Sequence, residues 1–286
     1  MSNRLIAISD VHGYYEELLA LLKKIDYKKE EDKIVFIGDM VDRGPEPIKT
    51  ISLIRNLQLA YPKNVFVVKG NHDKEFSTIA KILQKGQTLS EEDWLLYAGF
   101  TGDDLNGINT LKNLFSYKDR ELLINWIDNL PLYVDIDNHI FIHAGMNPNI
   151  PMDSQSEQVL LWGKENKEDR LFIWNNVNKH MGYENKVIVF GHVDTSLMYK
   201  KYENKLCNDI WYDLTNYDKI GIDCGVWNKG KLGALIIEPK IFDKGLSYSE
   251  EYVSPIEDYS VDEQLVPRPK SRTTSTFKSN RGKKTW

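Results

Sequence analysis

Apolar residues in the first quarter of the chain follow two alternating rhythms. Short runs rich in β-branched residues at 5–9, 33–37 and 64–69 have the length and composition of buried strands. The segments between them, 14–25 and 47–59, space their apolar positions at the helical period. This alternation predicts parallel βαβ units in an α/β fold. The second helix begins near Pro47, which suits a first turn because the missing N–H has no intrahelical partner there. Each strand runs into a cluster of polar residues, and in a parallel sheet ligands bind beyond the carboxyl ends of the strands.

Residues 72–130 read as several helices, interrupted at 99–107 by Gly-Phe-Thr-Gly-Asp-Asp-Leu-Asn-Gly, which looks too broken for a regular element and reads as a flexible rim or lid. Strands resume at 132–136, 140–143, 187–190, 219–222 and 232–237, with helices between 154 and 179. Periodicity fades after Pro239. The last twenty residues, rich in Pro, Ser, Thr, Lys and Arg, lack the apolar surface to offset their ordering entropy, which predicts disorder. The expected organisation is a catalytic domain over 1–240, a linker or peripheral extension over 241–266 and a basic tail over 267–286.

Composition narrows the class. With 41% hydrophobic and 28% charged residues, and no apolar run long enough to cross a bilayer, the 286-residue chain reads as a globular protein without a membrane partner. Its start goes into an apolar run ending at Ser9-Asp10, the pattern of a first strand and not of a signal peptide, so a cytoplasmic location is expected. Cys207 and Cys224 form no CxxC pair, which excludes a disulfide framework or a zinc knuckle. Net charge is uneven: seven basic residues and no acid follow from Arg268, whereas the body carries 30 basic and 42 acidic residues. Contact with nucleic acid is therefore expected only through the tail.

Five clusters at strand ends carry the chemistry. Asp10 and His12 stand two apart, so their side chains can share one face and one ion. Gly38-Asp39-Met-Val-Asp42-Arg43-Gly44 follows the second strand, and Gly70-Asn71-His72-Asp73 follows the third. His143-Ala144-Gly145 and Gly191-His192 end later strands. Six metal-compatible residues at strand ends have no common packing explanation. His139 and His180 fit no motif and read as surface histidines, and the aromatic stretch from Trp94 to Tyr97 reads as helix core.

In this order the five motifs resemble the phosphoprotein phosphatase branch of the calcineurin-like metallophosphoesterases, over about residues 4–237. The resemblance implies a four-layer α/β/β/α sandwich and two divalent metal ions, manganese first, with iron or zinc as alternatives. It implies that Asp10, His12 and Asp39 hold one ion, and that Asp39 bridges to a second completed by Asn71, His143 and His192. Two ions about 3.5–4 Å apart can share a hydroxide and stabilise both attacking and leaving oxygens, so no phosphoenzyme is needed. By the same resemblance His72 is the general acid, Asp42 fixes its tautomer, and Arg43 clamps the phosphate as a planar fork, with Asn71 also near substrate.

Two departures from the family pattern bear on the substrate. Lys69 and Lys164 stand where members acting on phosphoproteins commonly have arginine, so they enter as point-charge substrate ligands. Asp73 replaces the glutamate of eukaryotic members, pointing to a bacterial or viral branch that includes the diadenosine tetraphosphate hydrolases. The expected activity is hydrolysis of phosphomonoesters, foremost as a serine/threonine protein phosphatase acting on a phosphorylated protein or a small phosphoester. A symmetrical diadenosine tetraphosphate hydrolase is the alternative enzyme. A phosphate- or nucleic-acid-binding protein on a phosphatase scaffold is the alternative of another class, and the intact ligand set with His72 argues against it.

Overall fold

The computed structural model describes residues 4–91, 93, 94, 97, 104–164, 185–239 and 245–256. The chain divides into one compact unit over Met1–Pro255 and a second over Ile256–Trp286, of which only Ile256 is described. The tail and His180 lie outside the described residues.

The first sheet is built from β1 (Leu5–Ile8), β2 (Lys33–Ile37) and β3 (Val65–Val68), joined by the helices α1 (Tyr15–Lys24) and α2 (Pro47–Ala60). These strands pair in parallel, Ile6 opposite Ile34 and Phe36 opposite Val67. The sheet is completed on the other edge by β9 (Leu232–Pro239), antiparallel to β1, and β10 (Leu246–Val253). The second sheet runs in the order β4 (Tyr133–Ile136), β5 (His139–Ile142), β6 (Val187–Phe190), β8 (Lys219–Gly221) and β7 (Trp211–Tyr212), with the three central strands parallel.

Alternation along the strands assigns the layers. Successive strand residues face opposite ways, so Ile6, Ile8, Ile34 and Phe36 pack with α1, α2, α3 (Asn71–Gln84), α4 (Asp104–Ser116) and α5 (Arg120–Asp128), while Leu5, Ala7, Val35 and Ile37 pack with Phe141, Val189 and Ile220 of the other sheet. On the far side of the second sheet, Ile140, Ile142, Ile188 and Phe190 meet Leu160 of α6 (Glu157–Trp162) and Met198 of α7 (Thr195–Tyr202). Helices, sheet, sheet and helices form the expected four layers.

The structure corrects several sequence expectations. The segment read as a linker or peripheral extension contains an unexpected strand, β10, which pairs with β9 over eight residues at the sheet edge. Its pattern was faint because an edge strand with one side in solvent needs no apolar run, and Lys24 fastens it by bonds to Tyr252 O at 2.9 Å and the Glu251 carboxylate at 3.0 Å. Within the stretch read as broken, residues 104–107 are helical, and buried Gly107 lies inside α4, where its helix cost of about 1 kcal/mol is small beside tertiary packing. Residues 99–103 lie outside the described residues, as does most of the expected helical segment after α6. The strand β7 and helix α7 were not expected from sequence. His139 is a core residue, not a surface one: it is 1% exposed and its Nε2 lies 3.1 Å from the Tyr248 hydroxyl. Among the described residues no helix is long and apolar enough to cross a membrane.

Candidate metal centre

The loops that leave β1, β2, β3, β5 and β6 bring all five motifs together at one edge of the two sheets. The β1 and β2 loops are laced by backbone bonds, His12 N–H to Asp39 O at 2.8 Å, Gly13 N–H to Met40 O at 2.9 Å and Gly44 N–H to His12 O at 2.8 Å. Asp10, His12, Asp39, Asp42, Arg43 and His192 all have positive φ, between 46° and 67°. Non-glycine residues occupy this region at a cost of about 1–2 kcal/mol each. Such strain persists only where the surroundings over-determine the conformation, and it clusters at functional sites.

Two glycines let the loops approach. A Cβ on Gly191 would lie 1.9 Å from Ser9 Oγ, and one on Gly70 would lie 2.1 Å from Asp39 Oδ1 and 2.2 Å from Asp39 N. Gly70→Ala must therefore push the β2 and β3 loops apart. A loss on the order of 3 kcal/mol is expected in urea unfolding, and an unchanged midpoint would show that the two loops part freely.

Three imidazoles are held by their Nδ1 atoms. His12 Nδ1 lies 2.9 Å from Val41 O and His143 Nδ1 lies 3.0 Å from Ile37 O. A carbonyl only accepts, so each Nδ1 carries the proton and each Nε2 is turned inward. These Nε2 atoms lie 3.7 Å and 3.4 Å from the Asp39 carboxylate. His72 Nδ1 is bonded to Asp42 Oδ2 at 3.0 Å, which aims its Nε2 at Asp39, 3.9 Å away. The Asn71 amide oxygen lies 2.8 Å from His143 Nε2 and 2.9 Å from His192 Nδ1.

Two groups of potential ligands result, each with its donor atoms within 4.8 Å: His12, Asp39 and His72, and Asp39, His143 and His192. Asp39 belongs to both. Asp10 belongs to neither at that spacing: its carboxylate accepts from Ser9 Oγ and from the His192 N–H at 3.0 Å.

The charges of this cluster are poorly balanced by the protein alone. Burial pushes the Asp10 carboxyl up to about 7, partly offset by His143. Burial together with Asp10 raises Asp223 well above the carboxylate range. Burial and His143 bring His192 down to about 3. Burial disfavours charge on Asp39 too, but His143, His72 and His12 outweigh it and hold the carboxyl well below its ordinary value. Burial likewise opposes charge on His143, yet Asp39 and Asp10 prevail and leave it at about 10, with a proton facing the Asn71 oxygen. A divalent cation inverts this logic, favouring ionised carboxylates and neutral imidazoles. The donor set of carboxylate, imidazole and amide oxygen, with Nδ1 atoms anchored on carbonyls, fits such an ion.

The remaining expected residues are placed differently. Arg43 Nη1 lies 3.1 Å from His12 Nε2. Lys69 is buried and its ammonium donates to Asp128 O at 2.7 Å, so contact with a phosphate would require it to leave that carbonyl. Lys164 is half-buried just past α6. Sequence reading missed Asp223, which was discernible as another carboxylate beyond a strand end, β8. It also missed the Tyr97 hydroxyl: the ring packs in the core as expected, but the O–H donates to Asp42 Oδ1 at 3.2 Å. Trp227, whose ring lies 4.0 Å from Arg43 Cζ, gave no sign in the sequence.

Residues 3–220 match the family described as calcineurin-like phosphoesterase. A two-sheet sandwich with these donors at its strand ends has the architecture of the metallophosphoesterase class. The chain belongs to the calcineurin-like phosphoesterase family. Among curated proteins it is 34% identical over 142 residues to the symmetrical bis(5'-nucleosyl)-tetraphosphatase of Janthinobacterium sp. (strain Marseille), covering 50% of this chain and 43% of that one. The enzyme of the same name from Wigglesworthia glossinidia brevipalpis is 29% identical over 181 residues, 60% of this chain and 58% of the other. The chain thus matches about half the length of these relatives. Of solved structures, a metallophosphoesterase from Sphaerobacter thermophilus superposes with a TM-score of 0.52 at 17% identity, covering 89% of each chain. A protein serine/threonine phosphatase from Saccharomyces cerevisiae superposes with a TM-score of 0.57 at 17% identity, covering 90% of this chain and 82% of that one. At such identities the two structures show the fold alone.

Proposed function

We propose that this chain hydrolyses dinucleoside tetraphosphates symmetrically, giving two nucleoside diphosphates, and that this activity takes precedence over the protein phosphatase activity first expected. The observation that carries it is the match to curated relatives named as symmetrical tetraphosphatases. In this reading Asp10, His12 and Asp39 would hold one divalent ion, and Asp39, Asn71, His143 and His192 would hold the other. Manganese, iron or zinc bound there would supply Lewis acidity.

The chain's own groups do the rest. Arg43 offers planar donors to the non-bridging phosphate oxygens. His72, held by Asp42 in the tautomer with its proton on Nδ1, must take up a proton on Nε2 before it can give one to the leaving oxygen. Asp42 stabilises the resulting cation, and Tyr97 keeps that carboxylate in place. In the same reading Lys69, once released from Asp128 O, and Lys164 would offer a phosphate point charges without a fixed fork.

A substrate panel run with manganese tests the reading. Diadenosine tetraphosphate should exceed every phosphopeptide by about a hundredfold or more in kcat/KM, about 2.7 kcal/mol of transition-state discrimination, with adenosine diphosphate as sole product. A chelator should abolish turnover and added metal restore it. The reverse ranking would return the protein phosphatase reading, and tight binding without turnover would favour a binding protein.

A further inference from the structure

Trp227 stands beside the centre with 38% of its surface exposed. Its ring lies 4.0 Å from the Arg43 guanidinium carbon and meets the His12 ring edge-on at 6.5 Å between centroids. It rides on the single 3₁₀ turn Val226–Asn228, between β8 and β9. That turn is closed by its own backbone and by Asp223: Gly225 N–H donates to Asp223 Oδ1 at 3.0 Å, Asn228 and Gly230 N–H both donate to Gly225 O at 2.8 Å, and Lys231 N–H donates to Cys224 O at 3.0 Å. Asn228 also reaches Asp194 at 3.4 Å from across the loop.

An indole presented by a fixed turn loses little freedom when something docks on it. The ring stacks against Arg43, the residue read as gripping phosphate, while more than a third of Trp227 stays exposed. Stacking of a base on an aromatic side chain needs only a free π surface and tolerates any base. We propose that Trp227 is the platform on which a nucleobase stacks while the attached phosphates are held beside Arg43, which makes it a specificity-determining residue favouring nucleotides over bare phosphate. The assignment rests on the dinucleoside tetraphosphate reading above. The competing role for the ring is to hold the Arg43 guanidinium flat, which would affect every phosphate ligand alike.

Inhibition of p-nitrophenyl phosphate hydrolysis by adenosine diphosphate and by inorganic phosphate separates the two roles. It is to be measured on the metal-loaded wild type, Trp227→Leu and Trp227→Phe, with metal content and melting temperature recorded for each. The ratio of the two inhibition constants should shift about tenfold against adenosine diphosphate in Trp227→Leu and should stay within about threefold of wild type in Trp227→Phe, which keeps a π face. An equal weakening of both inhibitors, or a wild type that binds adenosine diphosphate no better than phosphate, overturns the platform. Should Trp227→Leu fail to fold, the affinity of the wild type for adenosine monophosphate over ribose 5-phosphate, which differ only in the base, decides, and equal affinities again overturn it. If the base preference appears while diadenosine tetraphosphate is not cleaved, the platform stands and the substrate reading falls.

Discussion

Replacing Asp39 with alanine is expected to empty both metal positions at once and to remove turnover on every substrate. Asp39 is the one residue common to both ligand groups, with three inward-facing Nε2 atoms between 3.4 and 3.9 Å from its oxygens. It also accepts the His72 N–H at 3.0 Å, so its loss loosens the start of α3. Without it the four neighbouring imidazoles face one another with no carboxylate shared between the two groups, and Asp10 alone is left to offer a negative charge beside them. Lewis-acid stabilisation amounts to several kcal/mol, so the fall in kcat should be on the order of 10³-fold or more. Metal content per chain, measured beside p-nitrophenyl phosphate turnover, checks it. Retention of one ion at full occupancy would mean that Asp39 serves a single position and that the bridge lies elsewhere.

His72→Asn separates acid from ligand. The ring stands in two relations at once: Nδ1 bonded to Asp42, as a general acid requires, and Nε2 grouped with His12 and Asp39, as a ligand requires. If it is the acid, the variant keeps both ions and loses on the order of 10²- to 10⁴-fold in turnover of a phosphoserine peptide, whose alkoxide needs a proton. The loss should be much smaller for a nucleoside diphosphate leaving group, since a terminal phosphate has a second pKa of about 6 and departs largely unprotonated. Loss of an ion in the variant would assign His72 to the metal. A uniform loss on both substrates with both ions retained would give it a role in holding the phosphate.

The strands that carry the site were legible because a buried parallel strand is an unbroken β-branched run, as in Lys33–Ile37, and the glycine-flanked motif at its end interrupts it sharply. Family pattern then supplied roles for Asp10, His12, Asp39, Asn71, His143 and His192. What escaped was everything set by contact between distant segments. The β10 edge depends on backbone bonds to β9 and carries little hydrophobic pattern. Tyr97 looked like core and is core, but its hydroxyl reaches Asp42 because α3, α4 and the β2 loop pack around one point.

Sequence by itself determined the βαβ order of the first half and the metal-compatible residue types at the strand ends, since both follow from local periodicity and residue chemistry. The tertiary structure decided which ligands face one another. It put Asp39 between two groups of imidazoles, tied Lys69 to Asp128 O, and set Trp227 beside Arg43. It also held six site residues at positive φ, a conformation no local propensity favours and only the crossed bonds of neighbouring loops sustain.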